Sequence, residues 1–207
     1  MIEGFVIAGG LSSRMGTPKA ELVLGRRSLL DRAVEALSTV SNGKVTAIVA
    51  KDFKVERGGD SSYRMAHDHE IPGIEQPLRA PIVGLYTALK LSTSPWIAIL
   101  AVDLPFVTPD LFANLAKHIG DDIDAVVPDQ EDGEPQPTCA LYRCETVLPV
   151  IVDAFATGKL SLRSRLSQLK TYRVGNSEIA HLDGAEYLFM NVNTPDDYSR
   201  AEALVGV

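Results

Sequence analysis

Cysteine is scarce in this chain of 207 residues: Cys139 and Cys144 are the only two, and they form no Cys-x-x-Cys spacing. A zinc site and a disulfide framework therefore have no basis in the sequence, which suits a reducing compartment. Long apolar runs are missing too. The longest, WIAILAV at 96–102, is far too short to span a bilayer, and the opening MIEGFVIAGG lacks the basic segment and extended apolar stretch of an export signal. Excess positive charge is also absent: 20 basic against 27 acidic residues leave a net charge of −7, unsuited to a broad nucleic-acid surface. The expectation is a cytoplasmic protein with no nucleic acid and no membrane among its partners.

What is present is the composition of an ordinary globular chain, 45% hydrophobic and 23% charged, with no repeats or linker-like tracts, so one domain over 1–207 is expected. Short continuous Val/Ile-rich runs at 5–8, 45–50 and 96–102 have the character of strands buried on both faces of a parallel sheet. Between them lie helical patterns. SLLDRAVEAL opens with a Ser28/Asp31 capping box and predicts a helix over 28–38, and 81–91 predicts another. Thr108-Pro109-Asp110 starts a third helix through LFANLAKHI, and Thr194-Pro195-Asp196-Asp197 starts a last one. The alternation implies an α/β fold: an open, mostly parallel, Rossmann-like sheet with helices on both faces. AVVPDQEDGEPQPTCALYR reads as a strand, a turn near 131–137 and a returning strand at 138–142, a β insertion covering the site.

In such sheets ligands bind beyond the carboxyl ends of the strands, where VIAGGLSSRMGTPK must lie. The glycines let the backbone turn its N–H groups toward phosphates, and Arg14 and Lys19 add positive charge. Neither G-x-G-x-x-G nor a P-loop is present, which weighs against a dehydrogenase and a P-loop NTPase. The plainer alternative is a Gly9-Gly10 turn with solvated Arg14 and Lys19. IAGGLSSRMGTPKAEL, however, resembles the signature [LV]-A-[GA]-G-x-S-x-R-M-G-x-x-K of the MobA-like nucleotidyltransferases, whose fold is nucleotide-diphospho-sugar transferase-like. The resemblance implies that Ile7, Ala8, Gly9, Gly10, Arg14 and Lys19 hold a nucleoside triphosphate.

Asp103 ends the apolar run IAILAV, where an unpaired carboxylate would be costly, so a cation is expected beside it. A hard divalent ion suits carboxylate oxygen, which makes Asp103 a Mg²⁺ ligand candidate; the alternative is a turn or cap residue before Pro105 and Thr108. VDLPF also resembles the family's D-x-P metal motif. Asp68 in RMAHDHE resembles the family's second nucleotide-contacting Asp, before a G-P-[LI]-x-G segment that here reads Ala80-Pro81-Ile82-Val83-Gly84. His67 and His69 flank Asp68 at a spacing that places both on one strand face, without a third metal partner.

FMNVNTPDD places Asn191 and Asn193 on one face of a short strand, or in a turn and cap. The pair resembles the family's N-[IV]-N-T-P-[ED]-[DE] motif, which implies Asn193 as an auxiliary metal ligand and Asn191 near the acceptor. GKLSLRSRL carries Lys159, Arg163 and Arg165, either a solvated amphipathic helix or, by resemblance, an acceptor-phosphate site using Ser161 and Arg163. Gln136 stands where the family has His before its T-x-A-L-Y strand and can hydrogen-bond a heterocycle. The Asn expected after the second strand is replaced by Ala50 or Asp52.

The resemblance implies transfer of GMP from GTP to the phosphate of molybdopterin, or of its molybdenum-loaded form, with Mg²⁺ as cofactor and release of pyrophosphate. Other cofactor-biosynthesis proteins and apo-molybdoenzymes are then expected partners. The Ala8-Gly9-Gly10 form resembles guanylyl- rather than cytidylyltransferases. The alternatives are a cytidylyltransferase for the same cofactor, a guanylyltransferase for another phosphorylated acceptor, and a non-catalytic cofactor carrier.

Overall fold

The computed structural model describes residues 1–9, 18–50, 62–71, 74, 78 and 80–206. Its first strand, β1 (Ile2–Ile7), splits its side chains between two cores, Val6 to one and Phe5 and Ile7 to the other, as a strand covered on both faces must. β1 pairs in parallel with β4 (Val45–Val49) and with β6 (Trp96–Ala101). β5 (Arg64–His67) extends the sheet beside β4. The seven-stranded order is β5-β4-β1-β6-β8-β7-β9, with β7 (Ala125–Pro128), β8 (Cys139–Arg143) and β9 (Thr171–Val174), and only β8 runs against the rest. A small ribbon, β2 (Val23–Leu24) with β3 (Arg27–Ser28), precedes the first helix.

The helices cover both faces, as expected. On one lie α1 (Leu29–Ser38), α3 (Pro109–Ala116) and α7 (Pro195–Val205); on the other α2 (Pro81–Leu91), α4 (Cys144–Ala156) and the short α5 (Leu162–Leu166). A further turn of helix, α6 (Asn176–Ile179), follows β9. The Ser28/Asp31 capping box starts α1 and a Thr194/Asp197 box starts α7, each satisfying N–H groups that have no partner inside the helix. α3 stops at Ala116 rather than running through Ile119, because Lys117, His118 and Ile119 turn their N–H groups to carbonyls three residues back. α4 went unread in the sequence because Pro149 interrupts its pattern.

The strand pair read as an insertion is built into the sheet. β8 hydrogen-bonds β6 on one side and β7 on the other, and Cys139, Ala140, Leu141 and Tyr142 are all buried. Only 129–137 projects as a turn. It is closed by Gln130 N–H donating to Glu134 O at 2.8 Å, with Gly133 at φ +80°, a backbone conformation that favours glycine.

Candidate active site

The carboxyl ends of the parallel strands bring the sequence-predicted residues together. Ala8 N–H donates to Ile48 O at 2.8 Å, Asp68 N–H to Val49 O at 3.0 Å, and Val102 N–H to Ile7 O at 3.1 Å. These bonds set the residues following β1, β4, β5 and β6 side by side. Gly9 lies close against Asp68: a β-carbon there would stand 3.2 Å from Asp68 Oδ2 and 3.5 Å from Ala50 N. Backbone can thus approach a ligand beside the Asp68 carboxylate. The Ile7 side chain is buried in the core below. Gly10, Arg14 and Asp52 lie outside the described residues.

Lys19 opens a single turn of 3-10 helix (Lys19–Glu21) anchored by buried Ala20. Its ammonium donates to Asn193 Oδ1 and lies 3.6 Å from Asp103 Oδ2. Three stretches far apart in sequence thus meet at one point. Asp103 is fixed by its own carbonyl, which accepts Val192 N–H at 2.9 Å, and Asn193 by its N–H, which donates to Asp197 Oδ2 at 3.1 Å. Residues 191–193 are not a strand; a single bond to Asp103 O replaces the ladder that the Asn-x-Asn spacing suggested. Burial pushes the Asp103 carboxyl above its ordinary pKa, while Lys19 and hydrogen bonds pull the other way without cancelling it. A carboxylate in that setting gains from a nearby cation.

The donor set suits Mg²⁺ in kind: a carboxylate oxygen on Asp103 and an amide oxygen on Asn193, both hard. It is incomplete by itself. Among the described residues no group of three His, Cys, Asp or Glu could hold an ion, so phosphate oxygens and water would have to complete the shell.

The acceptor-side candidates are dispersed. Gln136 is buried, with Oε1 accepting from the Thr138 hydroxyl at 2.9 Å, and Thr138 O accepts Ala101 N–H at 2.8 Å, which sets the pair at the end of β6 near Asp103. Ser161 caps α5, accepting from Ser164 N–H, so its hydroxyl is partly committed. Arg163 is exposed and paired with Glu134 on the projecting turn at 3.2 Å. Arg165 is not on a solvated helix face: its side chain is 3% exposed and its guanidinium faces Asp153 at 3.3 Å. Asn191 donates to Phe189 O at 3.3 Å. β5 ends at His67, whose Nδ1 lies 3.3 Å from Ala50 O, and His69 donates its N–H to Thr87, so the two do not share a strand face. Asp197, Thr138 and Glu134 escaped the sequence reading; the Thr-Pro-Asp-Asp capping pattern was the one signal that pointed to Asp197.

A seven-stranded sheet of this order, with its lysine and carboxylate meeting over the strand ends, places the chain among the α/β nucleotidyltransferases. Residues 4–171 match the MobA-like NTP transferase domain, and the chain belongs to that family. A Bacillus subtilis relative called "probable molybdenum cofactor guanylyltransferase" is 30% identical, with 95% of this chain and 92% of the relative covered. One from Desulfosudis oleivorans, "molybdenum cofactor guanylyltransferase", is 28% identical over 99% of this chain and 96% of its own. Among solved structures, molybdopterin-guanine dinucleotide biosynthesis protein A from Archaeoglobus fulgidus superposes with a TM-score of 0.74 at 22% identity, covering 100% and 99% of the two chains. A Thermus thermophilus 2-C-methyl-D-erythritol 4-phosphate cytidylyltransferase shares the fold at a TM-score of 0.67 and 18% identity, with both chains fully covered.

Proposed function

We propose that the chain, acting as one domain, transfers GMP from GTP to the terminal phosphate of molybdopterin, with or without bound molybdenum, and releases pyrophosphate. The observation that carries this reading is the meeting of Lys19, Asp103 and Asn193 at the carboxyl end of the sheet. The family and the names of the relatives support the reaction, and Ala8-Gly9-Gly10 supports guanine as the base.

Held by Asp103, Asn193 and phosphate oxygens, a Mg²⁺ ion would neutralise charge on the triphosphate. Lys19 offers its ammonium to the phosphates, aided by Arg14, and the backbone of residues 8–10 lies along the nucleotide. Asp68, which lies against Gly9, is assigned hydrogen bonds from the nucleoside. Gln136 offers its carboxamide to the pterin, and Arg163, once parted from Glu134, offers charge to the acceptor phosphate together with Ser161, two residues before it; Asn191 is assigned a further acceptor contact. An acceptor phosphate is already a competent nucleophile: its oxygen bonds the α-phosphorus while the bond to the α,β-bridging oxygen breaks. No general base is required. The product would pass to apo-molybdoenzymes or other cofactor-biosynthesis proteins in the cytoplasm. No helix among the described residues is long and apolar enough to cross a membrane.

The deciding assay incubates purified protein with Mg²⁺, molybdopterin and GTP, CTP or ATP in turn, following pyrophosphate. Release with GTP alone is the expected result. Release with CTP but not GTP would make the chain a cytidylyltransferase, and none with any nucleotide would favour a carrier.

A further inference from the structure

Lys19 occupies the oxygens that a divalent cation would need. Its ammonium is bonded to Asn193 Oδ1 and ion-paired with Asp103 Oδ2 at 3.6 Å, and its side chain is only 16% exposed. The partners are held in place, Asp103 through Val192 N–H and Asn193 through Asp197, so the lysine sits between fixed groups. A monovalent cation tethered to the chain thus neutralises the pair.

A bare divalent ion arriving here must part the ammonium from both oxygens, and the displaced charge and the ion then crowd around one carboxylate. Such crowding costs Coulomb energy in a site screened poorly by water. A metal–triphosphate chelate removes the conflict: the ion takes the Asp103 and Asn193 oxygens while the phosphates receive the ammonium. We propose that Lys19 makes the site select nucleotide as its metal chelate, by holding the metal-ligand oxygens closed to a bare cation until phosphate arrives to take the lysine. Lys19 is therefore a specificity-determining residue as well as a phosphate contact. The inference rests on the nucleotidyl-transfer reading for the identity of the chelate, but its test does not require turnover.

Mn²⁺ is titrated into the nucleotide-free full-length protein, with free Mn²⁺ followed by electron paramagnetic resonance. Lys19→Met, which keeps the apolar stem and removes the charge, is expected to bind Mn²⁺ about tenfold tighter than the wild type or more. Lys19→Arg, which keeps a cation there, binds as weakly as the wild type, and adding Asp103→Asn to Lys19→Met abolishes the gain. Equal or weaker Mn²⁺ binding by Lys19→Met overturns the proposal, as does a gain that survives Asp103→Asn. Circular dichroism of each variant verifies that the comparison is between folded proteins. Pyrophosphate release from GTP by the wild type is scored separately: its absence overturns the transfer reading, whereas equal Mn²⁺ affinities overturn only selection by Lys19.

Discussion

Gly84 of α2 rests directly on Ile7 of β1: a β-carbon at Gly84 would stand 2.7 Å from Ile7 Cγ2 and 2.9 Å from Cγ1. The helix can lie this close to the strand only without a side chain. Gly84→Ala gains up to about 1 kcal/mol of helix propensity, but a stiff β-branched neighbour cannot yield, and overpacking costs of about 1–3 kcal/mol dominate. A lower melting temperature is expected, and Gly84→Ala combined with Ile7→Ala should lose less than the sum of the two single losses, because the new methyl fills part of the space the isoleucine leaves; additive losses in the double variant would rule this account out.

Gly9 faces Asp68 with less room than a methyl group wants, 3.2 Å to Oδ2. Gly9→Ala should push the carboxylate aside and obstruct backbone approach to the nucleotide, leaving the sheet intact. The KM for GTP is expected to rise about tenfold with a smaller change in kcat, as measured by steady-state kinetics.

Lys19 and Asp103 converge from stretches far apart in the sequence. Lys19→Ala and Asp103→Ala should each reduce pyrophosphate release by about 100-fold or more, since each removes charge that faces the transferring group. Unfolding in urea should change by about 1 kcal/mol or less, because each side chain keeps some contact with water, 16% and 26% exposed, that can take the place of the lost partner. A large stability loss in either variant would recast the pair as structural.

Asp197 receives N–H groups from both Asn193 and Thr194, in the capping box of α7. The Thr194 hydroxyl, the Asn193 amide and the other donors hold its carboxyl below the ordinary pKa. A depressed folded pKa favours the folded state above the unfolded value and loses that benefit as pH falls through the folded one. Asp197→Ala should therefore cost about 1 kcal/mol at neutral pH, with the difference from wild type shrinking below about pH 4 in urea titrations. Because Asn193 loses its anchor, transfer activity should fall as well.

Arg165 is nearly buried, its Nε has no hydrogen-bond partner among the described residues, and Asp153 serves only one side of the guanidinium. A buried charge so partially met is a poor source of stability. Arg165→Met should be neutral or stabilising by about 1 kcal/mol, whereas Asp153→Ala should destabilise by about 1–2 kcal/mol by leaving the cation unpaired. Urea denaturation of the two variants distinguishes this from a cationic acceptor site, in which both would leave stability unchanged and Arg165→Met would raise the KM for the acceptor.

Local physics was legible in the sequence wherever one stretch decided the outcome. The Ser28 and Thr194 caps, the start of α2 at Pro81 and the doubly buried strands β1, β4 and β6 follow from side chains acting on their own backbone or from unbroken apolar runs. The signature at 7–19 and Asp103 carried the family and its site for the same reason, as dense short patterns. The place of β8 between β6 and β7 was not legible, because a run such as Cys-Ala-Leu-Tyr declares burial but not its neighbours.

What the sequence by itself determined, then, is which segments become strands and capped helices and which residues can carry phosphate and metal chemistry. Only the tertiary structure decided that Lys19 would rest on Asp103 and Asn193, that Arg163 would face solvent while Arg165 turned inward, and that Asp197 would steady the asparagine beside the lysine. Hydrogen bonds and ion pairs act over a few ångströms, and the sheet alone brings residues 19, 103 and 193 within that range.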